Sequence, residues 1–118
     1  MPARDVAARE LASLIGVFGH HHRIRIVEEL RTGEHDVAFL AHALDIPHAR
    51  VSQHLATLRA HRLVHMRREG RHVYYRLVDE KLARWLVDGF EFVEDEARQA
   101  EEIREAVAEV RELWTAPE

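Results

Sequence analysis

The chain has 118 residues, a length that suits one folded domain, and 47% of them are apolar, enough to build a core. It has no cysteine, which excludes disulfides, thiolate metal ligands and thiol redox sensing, and fits a cytoplasmic setting. The formal charge of −4 is unevenly spread: residues 48–78 hold seven arginines against Glu69 alone, while the stretches on either side are acidic.

Taken in chain order, no run of apolar residues is long enough for a membrane span, and the first residues lack a signal-peptide cleavage pattern. Apolar residues at helical spacing predict a first helix over Asp5–Phe18, with Leu11, Leu14, Ile15 and Phe18 on its apolar side. A second helix is predicted from His22 to Arg31, closed by Thr32-Gly33. The segment Glu34–Val37 is too short for more than a fragment of strand. A short helix follows from Ala38 to Leu44. Asp45-Ile46-Pro47 makes a tight connection, and Pro47 suits the start of the next helix, His48–Ala60. Val51, Leu55 and Leu58 form the inward stripe of that helix, and Arg50, Ser52, Gln53, His54 and Thr57 are read as lying off it. Leu63–Arg68 and Arg71–Leu77 read as two strands turning at Glu69-Gly70. From Asp79 to Trp114 the pattern predicts one continuous helix of about 54 Å at a rise of about 1.5 Å per residue. Its apolar residues, among them Leu82, Leu86, Val93, Ile103 and Val107, approximate a heptad seam broken at Glu96. Such a seam needs a partner, so the chain is expected to be a homodimer, joined through this helix and Leu11–Phe18.

A short helix, a tight turn and a second helix with a polar outer face make a helix-turn-helix. In that unit the second helix enters the major groove of double-stranded DNA, led by its N-terminal residues. Those residues are His48, Ala49, Arg50, Ser52, Gln53 and His54, with Thr57 one turn on. Arg suits guanine, Gln suits adenine, and Ser serves either. The hairpin then becomes a wing whose Arg67, Arg68, Arg71 and His72 suit phosphates or a minor groove. The fold class expected is mainly α with a small β-hairpin wing, one winged helix-turn-helix domain over residues 1–118. Its DNA-binding core covers about 34–78, and its dimerisation helices cover about 5–18 and 79–114.

The stretches FLAHALDI, RVSQHLATLRAHRLV and RREGRHVYYRL resemble the winged-helix domain of the ArsR/SmtB family of bacterial repressors. The resemblance implies a homodimeric cytoplasmic repressor that an inducer lifts off its operator, with DNA contacts at Arg50, Ser52, Gln53, His54 and the wing arginines. Two recognition helices in a dimer imply an imperfectly palindromic operator. The family's metal sites do not carry over. Asp36 stands where some members place cysteine, and Lys81 and Phe92 stand where others place imidazoles.

Ten histidines leave a different metal site open, with Zn or Ni as effector; the candidates are His20, His22, His35, Asp36 and His42. Adjacent imidazoles at 20–22 cannot all converge if helical, whereas two can if the segment is a loop. An organic or anionic small effector, or none, also stays open. No phosphate loop, nucleophile-base arrangement or metalloprotease spacing is present, so an enzyme is not expected. The rival reading is a winged-helix interaction module that has lost DNA binding and works through its long acidic C-terminal helix.

Overall fold

The computed structural model describes residues 1–96 and 100–117. In chain order the elements are α1 (Pro2–Val17), α2 (His21–Leu30), β1 (His35–Asp36), α3 (Val37–Leu44), α4 (His48–Ala60), β2 (Val64–Glu69), β3 (His72–Leu77), α5 (Lys81–Glu96) and α6 (Glu101–Thr115). They form two compact units, residues 1–78 and 79–118.

In the first unit, local chemistry marks where each element starts and stops. Pro2 opens α1, where its missing N–H costs nothing. His20 caps α2, its Nδ1 accepting from the His22 amide at 3.2 Å. The Asp36 carboxylate caps α3, accepting from the Phe39 amide at 2.8 Å. Asp45 ends α3 in the left-handed region (φ 55°), and the Ile46 amide donates back to the Ala41 carbonyl at 3.2 Å. Extended Pro47 then starts α4. The turn between α3 and α4 is therefore set by an Asp that tolerates positive φ and a proline that cannot extend the preceding helix.

The core of this unit is centred on Ile26, Val27 and Leu30 of α2, Leu40 and Ala41 of α3, and Val51, Leu55 and Leu58 of α4, with Val17, Val64 and Leu77 also buried. Just past its end, α4 is closed by Arg62 (φ 59°): the Arg62 amide donates to Arg59 and the Leu63 amide to Leu58, the doubled closure usually completed by glycine. The sheet has the order β1-β3-β2, all antiparallel. The Glu34–Val37 segment does form a strand fragment, His35 pairing with Tyr75 and Asp36 with Tyr74. The hairpin turn falls one residue later than expected. Glu69 pairs with His72, so Gly70-Arg71 forms the loop, and Gly70 supplies the positive φ of 62°.

In the second unit the expected continuous helix is instead two helices, α5 and α6, packed against each other. The seam broke at Glu96, where α5 ends; Ala97, next to it, lies outside the described residues. Phe90 of α5 meets Trp114 of α6 edge to face at 5.1 Å between ring centroids. The Arg111 guanidinium bonds Glu94, with Nε to oxygen at 2.8 Å. The physical reason is the one that suggested a partner: a helix that long leaves its apolar stripe uncovered. Folding it into a hairpin lets each half cover part of the other. Leu86, assigned above to a dimer seam, is accordingly buried in the chain itself, whereas Val93 and Ile103 stay exposed.

Candidate nucleic-acid interface

α4 has two unlike sides. Val51, Leu55 and Leu58 are fully buried, and this anchors the helix on α2 and α3. His48, Ala49, Arg50, Ser52 and Gln53 are exposed along its N-terminal half. Thr57 is half-buried, and its hydroxyl donates to the Gln53 carbonyl at 3.3 Å, so it is turned back on its own helix.

His54 departs from the sequence reading. It is 6% exposed and faces inward. The spacing contained the signal: position 54 is three after Val51 and four before Leu58, so it shares their stripe. The polar residue type suggests an outward side chain, and the helix geometry turns it inward.

The wing also differs in detail. Arg67 does not stand free at the tip. Its guanidinium lies between two carboxylates, Glu34 at 2.5 Å and Glu69 at 2.6 Å, and 4.8 Å from the Tyr74 ring centroid. These bonds raise its pKa further and hold the Glu34 carboxyl below the usual range. Arg68 and Arg71 are exposed, and neither pairs with an acid among the described residues. His72 is exposed, with Nδ1 3.6 Å from the Asp36 carboxylate. Of the three arginines at the tip of the wing, two are thus available.

A second constellation lies behind α4. His20 and His22, at the start of α2, converge on His54. The centroid separations are 4.4 Å for His20–His54, 5.6 Å for His22–His54 and 4.9 Å for His20–His22. One ring nitrogen from each lies within 4.8 Å of the other two. His20 sits on the extended cap residue and His22 in the first turn, which is why two of the adjacent imidazoles meet while exposed His21 stays outside. Arg23 braces the group, donating from Nε to His54 Nδ1 at 3.3 Å and from its terminal nitrogen to the Val17 carbonyl at 2.9 Å. His22 Nδ1 and His54 Nε2 are buried with no hydrogen-bond partner among the described residues. Leaving a buried polar atom unpaired costs about 1–3 kcal/mol. Burial, then the neighbouring histidines and arginines, keeps all three pKa values below the ordinary imidazole value, His54 down to about 4. The other metal candidates do not assemble. His35 stacks on Phe39 at 3.7 Å, Asp36 is committed to its cap, and His42 is exposed.

The family model of the bacterial regulatory proteins of the arsR family matches residues 20–66, from the α2 cap into β2. A biofilm growth-associated repressor of Agrobacterium fabrum is 37% identical over 84 residues, covering 71% of this chain and 72% of that one. The chain belongs to the ArsR/SmtB family. Further ArsR/SmtB relatives match over shorter stretches, and the chain spans about half of their length. Among solved structures, NolR from Sinorhizobium fredii superposes with a TM-score of 0.72 at 27% identity, covering 78% of this chain and 92% of that one. The homodimeric winged helix-turn-helix DNA-binding domain Mb0332 of Mycobacterium bovis gives 0.62 at 29% identity, covering 70% and 76%. As an ArsR-family protein the chain is a winged helix-turn-helix transcriptional regulator rather than an enzyme, with α4 as the second helix of the motif and β2-β3 as the wing. No described helix is long and apolar enough to cross a membrane.

Proposed function

We propose that this regulator is a homodimeric repressor that binds an imperfectly palindromic double-stranded operator in the cytoplasm and is released by an effector. The observation that carries the reading is the two-sidedness of α4: one side fully buried, the other presenting Arg50, Ser52 and Gln53 with His48 to solvent. Arg50 and Gln53 offer paired donors and acceptors of the kind that read guanine and adenine edges. Arg68 and Arg71, with His72, supply the flanking phosphate contacts. Arg67, held by two acids, contributes mainly to the shape of the wing. His54 acts from behind α4 and not on DNA, and Thr57 is a marginal contact.

The dimer is supported by apolar side chains that α1 leaves in water, Leu11 and Ile15 among them, and by Val93 and Ile103 on α5 and α6. Leu14, Phe18, Leu82 and Val107 are half-buried.

The test is DNA binding across a salt series with a set of duplexes. Arg50→Ala or Gln53→Ala is expected to relax preference at particular base pairs, by about 1–3 kcal/mol each. Arg68→Ala with Arg71→Ala is expected to weaken all duplexes alike and to flatten the salt dependence. Exchange of those two outcomes between the pairs of variants would reverse the roles given to α4 and the wing.

A further inference from the structure

We propose that His20, His22 and His54 form a binding site for a divalent transition-metal ion, and that this ion is an effector acting directly on α4. The regulatory half rests on α4 being the DNA-reading helix; the binding half does not. None of the three residues occupies the positions where the family resemblance implied metal ligands, at the start of α3 or along α5.

Three observations converge on the site. Three imidazoles from two elements bring ring nitrogens within 4.8 Å of one another. His54 is 6% exposed, and its buried Nε2 has no partner among the described residues; the buried His22 Nδ1 has none either. His20 and His22 are only half-buried, so the rings can adjust and an ion can enter from the α2 side. A tetrahedral ion with bonds of about 2.0–2.1 Å to nitrogen needs its ligands about 3.4 Å apart. The rings therefore have to close by up to about 1.4 Å, which is within rotamer adjustment for two side chains near the surface. Three neutral nitrogen ligands and no sulfur suit Zn(II), Co(II), Ni(II) or Cu(II), and leave a further position for water.

Arg23 turns occupancy into a switch. His54 Nδ1 accepts from Arg23 Nε at 3.3 Å. If Nδ1 binds the ion, Arg23 must leave it. If Nε2 binds the ion, the ring proton moves to Nδ1, which can then no longer accept. Either way the ion and the Arg23 bond exclude one another, and so do the ion on His20 and the bond by which His20 caps α2. Closing the site pulls on His54, which lies one turn after Arg50 and next to Gln53 in α4.

The experiment uses the full chain, stripped of metal and titrated with Zn(II) by calorimetry and with Co(II) by visible absorption. The expected result is one ion per chain, with Co(II) bands of a nitrogen-ligated, low-coordinate ion. His20→Gln and His22→Gln, on partly exposed residues, should each weaken binding at least tenfold without loss of folding, while His42→Gln changes nothing. Arg23→Gln removes a competing bond and a like charge, so it should tighten binding. Zn(II) should also change the affinity for DNA in the parent chain and not in His20→Gln. Unchanged metal affinity in both His20→Gln and His22→Gln, or DNA affinity indifferent to Zn(II) in the parent, would overturn the proposal. If the metal-free chain binds DNA with steep salt dependence and no ion binds, the metal site alone fails. If an ion binds at these histidines but no duplex does, the repressor reading fails with the regulatory half, and the metal site stands.

Discussion

Arg62 holds a backbone conformation that side chains with a Cβ resist. Its φ of 59° closes α4 through two backbone hydrogen bonds, a place where glycine is the common choice. Arg62→Gly should therefore raise the urea midpoint by an amount equivalent to about 1 kcal/mol, with the same m-value. His54 makes a second prediction at this scale. Its pKa in the fold, about 4, lies below the ordinary imidazole value of 6.5, so folding favours the neutral ring. That contribution is fully present above about pH 6.5 and is lost as the pH falls toward 4. The metal-free protein should lose thermal stability across that window, and His54→Leu should lose less, as read by melting temperature against pH. An equal slope in both proteins would show that the titration of His54 does not govern the acid limb. The same shift bears on DNA binding: His54 stays neutral at mildly acidic pH and adds no positive charge to α4.

At the scale of elements, α5 and α6 hold each other as a helical hairpin. Trp114 is buried against Phe90, and the Arg111 bond to Glu94 lies nearby. Trp114→Ala should cost about 3–5 kcal/mol in this unit, in line with removal of a buried tryptophan. Trp85 remains as the fluorescent reporter, and susceptibility of α6 to protease measures the loss directly. Arg111→Gln should cost far less, because a partly exposed ion pair is screened by water and salt. On α4 the elements act differently: its inward stripe sets its orientation, and its outward N-terminal half is left for chemistry. This division was legible in the 51-55-58 spacing. The place of His54 on the stripe is legible too, although its polar residue type points the other way.

For the whole molecule, the net charge of −4 conceals a basic middle, and that middle folds into α4 and the wing. Binding to DNA should fall steeply with salt, because each phosphate contact releases counterions. The proposed dimer contact on α1 rests on exposed Leu11 and Ile15. Ile15→Glu should yield a monomer by analytical ultracentrifugation. It should also weaken operator binding by more than tenfold, because two half-sites are then no longer held together. A monomeric parent chain, or an Ile15→Glu dimer, would remove α1 from the interface.

Local pattern determined the order and type of the elements as far as β3, the limits of α4, the short β1 and the existence of a wing, because helix periodicity, caps and turn residues act over a few positions. The tertiary structure decided three things that depend on residues far apart in the chain. It paired Arg67 with Glu34, withdrawing a cation from the wing. It divided the expected long helix into α5 and α6, since an apolar stripe can be covered by its own continuation as well as by a second chain. And it brought His54 to His20 and His22 across more than thirty residues, a convergence produced by packing of the inward face of α4 against α2, which no spacing rule along the chain records.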